Sequence, residues 1–287
     1  MIPAMLRAMR PKQWLKNVLV FAAPGAAGVL DRPEEFVTTV IAFVAFCLAA
    51  SGTYVWNDLS DLEADRTHPT KRDRPFAAGL VPIGVARAMG VLLPIAALAV
   101  AGATGRWETI AVIAVYLALT LSYTFWLKDV AIIDLLAVAS GFVLRAAAGA
   151  VAVDVPMSRW FILCVTFGSL FIVVGKRYAE LQELGAGAGT RITLDTYTPG
   201  FLRMLLSVSL GGALISYCVW AFETADGKDF PFYELSIVPM IAALFRYLLV
   251  LERGEGSAPE EVFSRDRVLQ LAGLVWVIIY GVAVYTA

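Results

Sequence analysis

Long apolar runs alternate with short polar segments along the whole chain. A membrane-crossing helix needs roughly 20 mostly apolar residues. Nine stretches fit: 14–30, 36–57, 82–103, 107–126, 131–152, 159–178, 200–222, 233–251 and 267–286. Pro24 and Gly25 interrupt the first. The fourth and fifth are separated only by LKDVA, which predicts a tight hairpin. The pattern predicts an all-α integral membrane protein, a bundle of about nine transmembrane helices. No break in composition divides it, so 1–287 reads as one domain.

Composition sharpens this picture. The chain is 59% hydrophobic and 16% charged, against about 25% charged residues in soluble domains. A net charge of −1 gives no electrostatic footprint for nucleic acid. The N-terminus MIPAMLRAMRPKQWLKN is basic but lacks a compact apolar core before a small-residue cleavage site, so no cleavable signal is expected. Cys47, Cys164 and Cys218 stand singly in apolar spans and read as helix packing. Lys and Arg are distributed unevenly: with nine crossings, seventeen fall on one side and four on the other. This bias predicts a cytoplasmic N-terminus and an external C-terminus in the cell membrane. Loops after the second, fourth, sixth and eighth spans are then cytoplasmic, and three are long. Chemistry is therefore expected at the cytoplasmic face.

The segment NDLSDLEADRTHPTKRDRP, 57–75, carries both signs of charge directly after an apolar span. If the helix continues past Asn57, then Asp58, Asp61 and Asp65 lie at i, i+3 and i+7, on one face. Asn57 joins them at i+4 from Asp61. Like charges so close repel unless a cation sits among them. Hard oxygen donors suit Mg²⁺, which is held by a few carboxylates plus phosphate oxygens. The plainer reading is a solvated loop whose charges pair with one another, and the one-face spacing argues against it.

Other polar residues are placed at the same side. Lys12, Gln13, Lys16 and Asn17 open the first span, with Lys12/Lys16 and Gln13/Asn17 each at i, i+4. Tyr123, Lys128 and Asp129 end the fourth, Asp134 starts the fifth, and Lys176, Arg177, Tyr178 and Glu180 end the sixth. Each cation alone reads as snorkelling to anionic lipid. Several helix ends offering cations around one acidic cluster suit a polyphosphate ligand. Arg145 lies three turns after Asp134, about 16 Å deeper. It either pairs with a buried carboxylate or lines a lipid tunnel. His68 reads as incidental and GAGAG at 185–189 as a hinge, since no strand precedes it. Thr198-Pro199 reads as the cap and first position of a helix.

The motif NDxxDxxxD at Asn57–Asp65 resembles that of the UbiA superfamily of membrane prenyltransferases. The supporting segments are RPKQWLKN (10–17), LSYTFWLKDVAIIDLL (121–136), GFVLRAAAGA (141–150), GKRYAEL (175–181) and PEEVFSRDRVLQL (259–271). With them the resemblance is closest to the decaprenyl-phosphate phosphoribosyltransferases of actinobacterial cell-wall synthesis. It implies nine helices and two cytoplasmic Asp-rich sites holding Mg²⁺ and a diphosphate. It also implies transfer of 5-phosphoribosyl from phosphoribosyl pyrophosphate to a polyprenyl (decaprenyl) phosphate, for arabinan precursor synthesis. Asn57, Asp58, Asp61 and Asp65 would hold the metal, with Asp58, Asp61 and Lys128 catalytic. Lys16, Asn17, Lys71, Arg74, Tyr123, Asp134, Lys176 and Arg177 would bind substrate. The sequence departs from the family's second motif, DxxxD. Asp129 and Asp134 are five apart, about 140° round a helix, beside Lys128. A phosphate-binding lysine there fits a substrate with more phosphate and less need of a second metal pair.

Two alternatives stay open. One is transfer of a prenyl chain from its diphosphate to an aromatic acceptor. The other is a transporter or ion-binding channel, against which the charges lie at one face rather than at the midplane. A homo-oligomer is compatible with the sequence.

Overall fold

The computed structural model describes residues 1–67, 71–184, 192–228, 230–256 and 258–286. His68 and the GAGAG run lie outside them. The α-helices run in the order α1 (Ile2–Ala8), α2 (Ala22–Ala26), α3 (Pro33–Ser60), α4 (Leu62–Thr67), α5 (Ile83–Gly102), α6 (Trp107–Phe125) and α7 (Ile133–Ala152). They continue with α8 (Arg159–Leu184), α9 (Ile192–Thr196), α10 (Pro199–Ala225), α11 (Phe232–Leu235), α12 (Ile237–Glu252), α13 (Pro259–Arg265) and α14 (Arg267–Thr286). Among the described residues there is no strand. Eight helical stretches there are long and apolar enough to cross a membrane: α3, α5, α6, α7, α8, α10, α11 with α12, and α14.

The predicted first span, 14–30, takes another form. Pro11–Phe21 is a 3₁₀ helix, followed by α2. Three residues per turn bring i and i+3 into line. Asn17 and Val20 are accordingly both buried, and Lys16 Nζ donates to Gln13 Oε1. The expected i, i+4 pairs Lys12/Lys16 and Gln13/Asn17 do not form faces here, because the period is three rather than 3.6. Arg10, just before Pro11, is left-handed at φ 54° and ends the preceding turn.

The chain divides into two compact units of interleaved segments. The first comprises 1–25, 29–128 and 144–156. Its core is rich in alanine: Ala42, Ala45, Ala49 and Ala50 on α3, Ala97 and Ala101 on α5, Ala148 and Ala152 on α7. In lipid, helices associate through close van der Waals packing, for which small residues at three- and four-residue spacing are suited. At Gly149 a Cβ would overlap the Val20 carbonyl oxygen, so only glycine lets α7 pass the 3₁₀ segment.

The second unit comprises 26–28, 129–143 and 157–287. Its core joins Phe171 and Tyr178 of α8, Leu202 and Leu206 of α10, and Tyr247 and Leu251 of α12. A Cβ at Gly212 would lie 2.5 Å from the Phe167 ring, which marks a close approach of α8 and α10. Thr198 caps α10 by accepting the Phe201 N–H at 3.2 Å, with Pro199 in first position, as its sequence predicts. At the α13–α14 corner, Arg246 Nε and Nη2 donate to Asp266 Oδ2 at 3.0 and 2.8 Å. Asp266 Oδ1 accepts the Leu269 N–H at 2.8 Å. These bonds, Arg246 foremost, hold the Asp266 carboxyl below the usual carboxylate range.

Candidate functional site

At 28 residues, α3 is about 42 Å long, more than the roughly 30 Å hydrocarbon core of a bilayer. Its polar last turns therefore lie beyond the apolar stretch. The helix ends at Ser60, with Asp61 as its C-cap at φ −97°, and α4 follows at once. The i→i+4 backbone bonds Asp61 N–H to Asn57 O and Asp65 N–H to Asp61 O bridge the break. Asp58 and Asp65 are thereby brought together, nearly wholly buried.

Their charges meet cations. Arg74 Nη1 donates to Asp58 Oδ1 at 3.0 Å and to Asp65 Oδ2 at 2.6 Å. Arg10 reaches the same Asp58 oxygen, and its guanidinium lies 5.1 Å from the centroid of the Tyr54 ring. Asp61 faces elsewhere: Lys128 Nζ donates to its Oδ1 at 2.8 Å, and Asn57 Nδ2 to its Oδ2 at 3.3 Å. The predicted set Asn57, Asp58, Asp61, Asp65, Arg74 and Lys128 is thus linked within the first unit by two charge-paired groups. Arg10 joins it from 48 residues away. In sequence Arg10 enters the charge bias and the RPKQWLKN segment, with no site role assigned to it. The available signal was its place before Pro11, where a helix must break.

Two carboxylate oxygens converging on one cationic nitrogen form a point that hard cations also favour, so Asp58 and Asp65 fit a divalent ion such as Mg²⁺. Among the described residues no three His, Cys, Asp or Glu side chains group as a ligand set. Lys71 lies in the short 3₁₀ turn Lys71–Asp73, half-buried, and Tyr123 is half-buried in the last turns of α6.

Asn17 and Arg145 meet deeper in the same unit. Asn17 is wholly buried. Its Oδ1 accepts from Arg145 Nε at 2.7 Å and its Nδ2 donates to Cys47 Sγ at 3.3 Å. Arg145 also donates to Tyr116 Oη at 3.1 Å and lies over the Tyr116 and Phe46 rings. Asn17 is therefore committed to holding the 3₁₀ segment, while Lys16 is half-buried beside Gln13.

In the second unit, Asp134 has no exposed surface. It accepts from Tyr197 Oη at 2.6 Å, Arg177 Nε at 3.2 Å and Thr193 Oγ1 at 3.4 Å. Arg177 Nη1 also donates to Glu180 Oε2 at 2.8 Å, and Lys176 Nζ lies 3.8 Å from Glu180 Oε1. Burial, with the Asp134 carboxylate as acceptor, pushes the Tyr197 phenol up to about 12. Asp129 is exposed where Asp134 is buried; the two are not on one helix, since Asp129 ends the 3₁₀ turn Leu127–Asp129 and Asp134 opens α7, so the 140° helical spacing does not apply. A cavity of about 440 Å³ lined by Glu183, Glu255, Glu261, Arg265 and Asp266 contains none of the predicted site residues.

Residues 18–283 match the UbiA prenyltransferase family. The chain is 45% identical to decaprenyl-phosphate phosphoribosyltransferase from Corynebacterium glutamicum, over 98% of this chain and 86% of the relative. It is 43% identical to the protein of the same name from Mycobacterium tuberculosis, over 99% and 95%. Among solved structures, a UbiA homolog from Archaeoglobus fulgidus bound to GPP and Mg²⁺ superimposes with a TM-score of 0.74. It is 18% identical and covers 99% of this chain and 100% of its own. That likeness is one of fold.

Proposed function

The chain belongs to the UbiA prenyltransferase family, and from that premise we propose that it transfers 5-phosphoribosyl from phosphoribosyl pyrophosphate to decaprenyl phosphate. Support comes from the name shared by relatives that match nearly the full chain. The observation that carries the chemistry is the paired cluster of Asp58 and Asp65 with Arg10 and Arg74, beside Asp61 with Lys128.

In this reading Asp58 and Asp65 would hold Mg²⁺, while Asn57 and Asp61 belong to the adjoining group with Lys128. The ion, when bound, neutralises charge developing on the leaving pyrophosphate. Arg74, Lys71 and Arg10 are cations for phosphate oxygens, and Arg guanidinium forks suit that geometry. Lys128, already hydrogen-bonded to a carboxylate, donates to the pyrophosphate as negative charge grows there. Lys16 and Tyr123 are assigned to substrate positioning, and Lys176 and Arg177 to phosphate. The lipid phosphate is an anion at neutral pH, so it attacks C1 without a strong base. The bond from C1 to the pyrophosphate oxygen breaks with its electron pair leaving on pyrophosphate. A bond from C1 to the lipid phosphate oxygen forms, through an oxocarbenium-like centre with inversion.

The chain is a multi-pass membrane protein. We assign the cell membrane, a cytoplasmic N-terminus, an external C-terminus and a cytoplasmic-face site to one functional domain over 1–287.

The deciding assay uses purified protein, Mg²⁺, a polyprenyl phosphate and phosphoribosyl pyrophosphate labelled in the ribose. Label is expected in the organic phase, and Asp61→Asn is expected to lower turnover on the order of 10²-fold. Label that stays in water, while a prenyl diphosphate and an aromatic acid give a prenylated product, would overturn the assignment.

A further inference from the structure

The turn that opens α7 adopts a backbone conformation its residue disfavours. Ile132 has φ +69°. A β-branched side chain at positive φ is an outlier, and such residues persist where the surroundings over-determine them. Here the Ile132 N–H donates to Tyr197 Oη at 2.6 Å, and the same hydroxyl donates onward to Asp134 Oδ1 at 2.6 Å. One oxygen thus accepts from the turn and donates to the carboxylate two residues later. Asp134 in turn accepts from Arg177 Nε, whose Nη1 is tied to Glu180. The Tyr197 ring stacks on Phe201 at 6.0 Å and 11°, which fixes where its hydroxyl points. Every residue in this relay lies in the second unit.

We propose that Tyr197 is a positioning residue for the transfer reaction: its hydroxyl holds the left-handed turn at Ile132 and, through Asp134, sets the orientation of Arg177. The link to catalysis rests on the phosphate-binding role assigned to Arg177 above. Asp134, with no exposed surface and three donors, is assigned to holding Arg177, whose own side chain is 4% exposed, rather than to touching substrate. Tyr197 lies 63 residues from Asp134 in sequence, so no local motif announces the pairing.

Tyr197→Phe removes one oxygen and leaves the ring against Phe201. Two measurements read the result. Amide exchange over residues 130–136 is expected to quicken about tenfold, as for one lost hydrogen bond of ordinary net strength. KM for phosphoribosyl pyrophosphate is expected to rise by a similar factor, while kcat and the KM for the lipid phosphate stay within about threefold, the signature of lost binding rather than lost chemistry. A second substitution separates positioning from packing. Glycine accepts positive φ without strain, so Ile132→Gly in the Tyr197→Phe background is expected to recover part of the KM. A packing defect would instead worsen. Unchanged exchange in Tyr197→Phe overturns the proposal. So does an equal rise in both KM values together with a fallen melting midpoint. If Tyr197→Phe alone does not fold, the double variant gives the same two readings. If the wild-type protein transfers no phosphoribosyl group, the functional reading fails by itself. The exchange measurement then decides the role of Tyr197: fast exchange supports the hold on the turn, and unchanged exchange removes it.

Discussion

Arg74 serves two buried carboxylates with one nitrogen, at 3.0 and 2.6 Å. Breaking a buried ion pair typically costs about 3–5 kcal/mol because the surviving charge is stranded. Arg74 is itself 27% exposed and Arg10 remains on Asp58, so Arg74→Gln is expected to cost on the order of 2 kcal/mol with chelator present. A divalent ion offers the stranded carboxylates a substitute partner. Mg²⁺ should therefore raise the melting midpoint of Arg74→Gln more than that of the wild type. Equal shifts in the two proteins would sink the idea that Asp58 and Asp65 form the metal point. At this scale the sequence marks Asp58, Asp61 and Asp65 as candidates because their spacing is local, and Lys128 because it ends an apolar run on the same side, 67 residues from Asp61. It did not disclose Arg10, whose pairing spans 48 residues, nor the commitment of Asn17 to Arg145, 128 residues away.

Among the elements, helix ends were the most legible feature. The boundaries predicted for α5, α6, α7 and α14 fall within two residues of those observed, and the runs of α5, α6 and α7 are bounded at both ends by charged, proline or glycine residues. The apolar run 14–30 reads as a spanning helix in sequence while Pro11–Phe21 is 3₁₀, since composition does not distinguish a period of 3 from one of 3.6 over so few turns. The α13–α14 corner offers a test of a different kind. Asp266 has its carboxyl held low by Arg246. A depressed folded value means its contribution is fully present above the unfolded value of about 3.9 and is lost as pH falls through the folded one. Asp266→Ala should therefore lower stability at neutral pH, with the lost α14 cap alone worth roughly 0.5–2 kcal/mol. The gap from wild type should begin to narrow below about pH 4, where the carboxyl of the unfolded chain takes up a proton, and narrow further as pH falls toward the folded value. Denaturation midpoints at pH 7 and pH 3 would show this, and a gap of equal size at both would refute it.

For the whole molecule, the proposed orientation makes a definite statement about its two ends. Eight long helices among the described residues would return the chain to the side it left, so opposite termini require the N-terminal segment to cross as well. Reporter fusions at Ala287 are expected to read external and fusions before Ile2 cytoplasmic. A shared side for both would mean that residues 11–26 do not cross. Winding decides whether they can. Eleven residues at about 2.0 Å rise and five at about 1.5 Å reach roughly 30 Å, the thickness of the hydrocarbon core. The same sixteen residues wound entirely as α-helix would reach only about 24 Å. If the segment crosses, half an ångström per residue in one tightly coiled stretch sets the parity of the fold, and with it the compartment that the last helix enters.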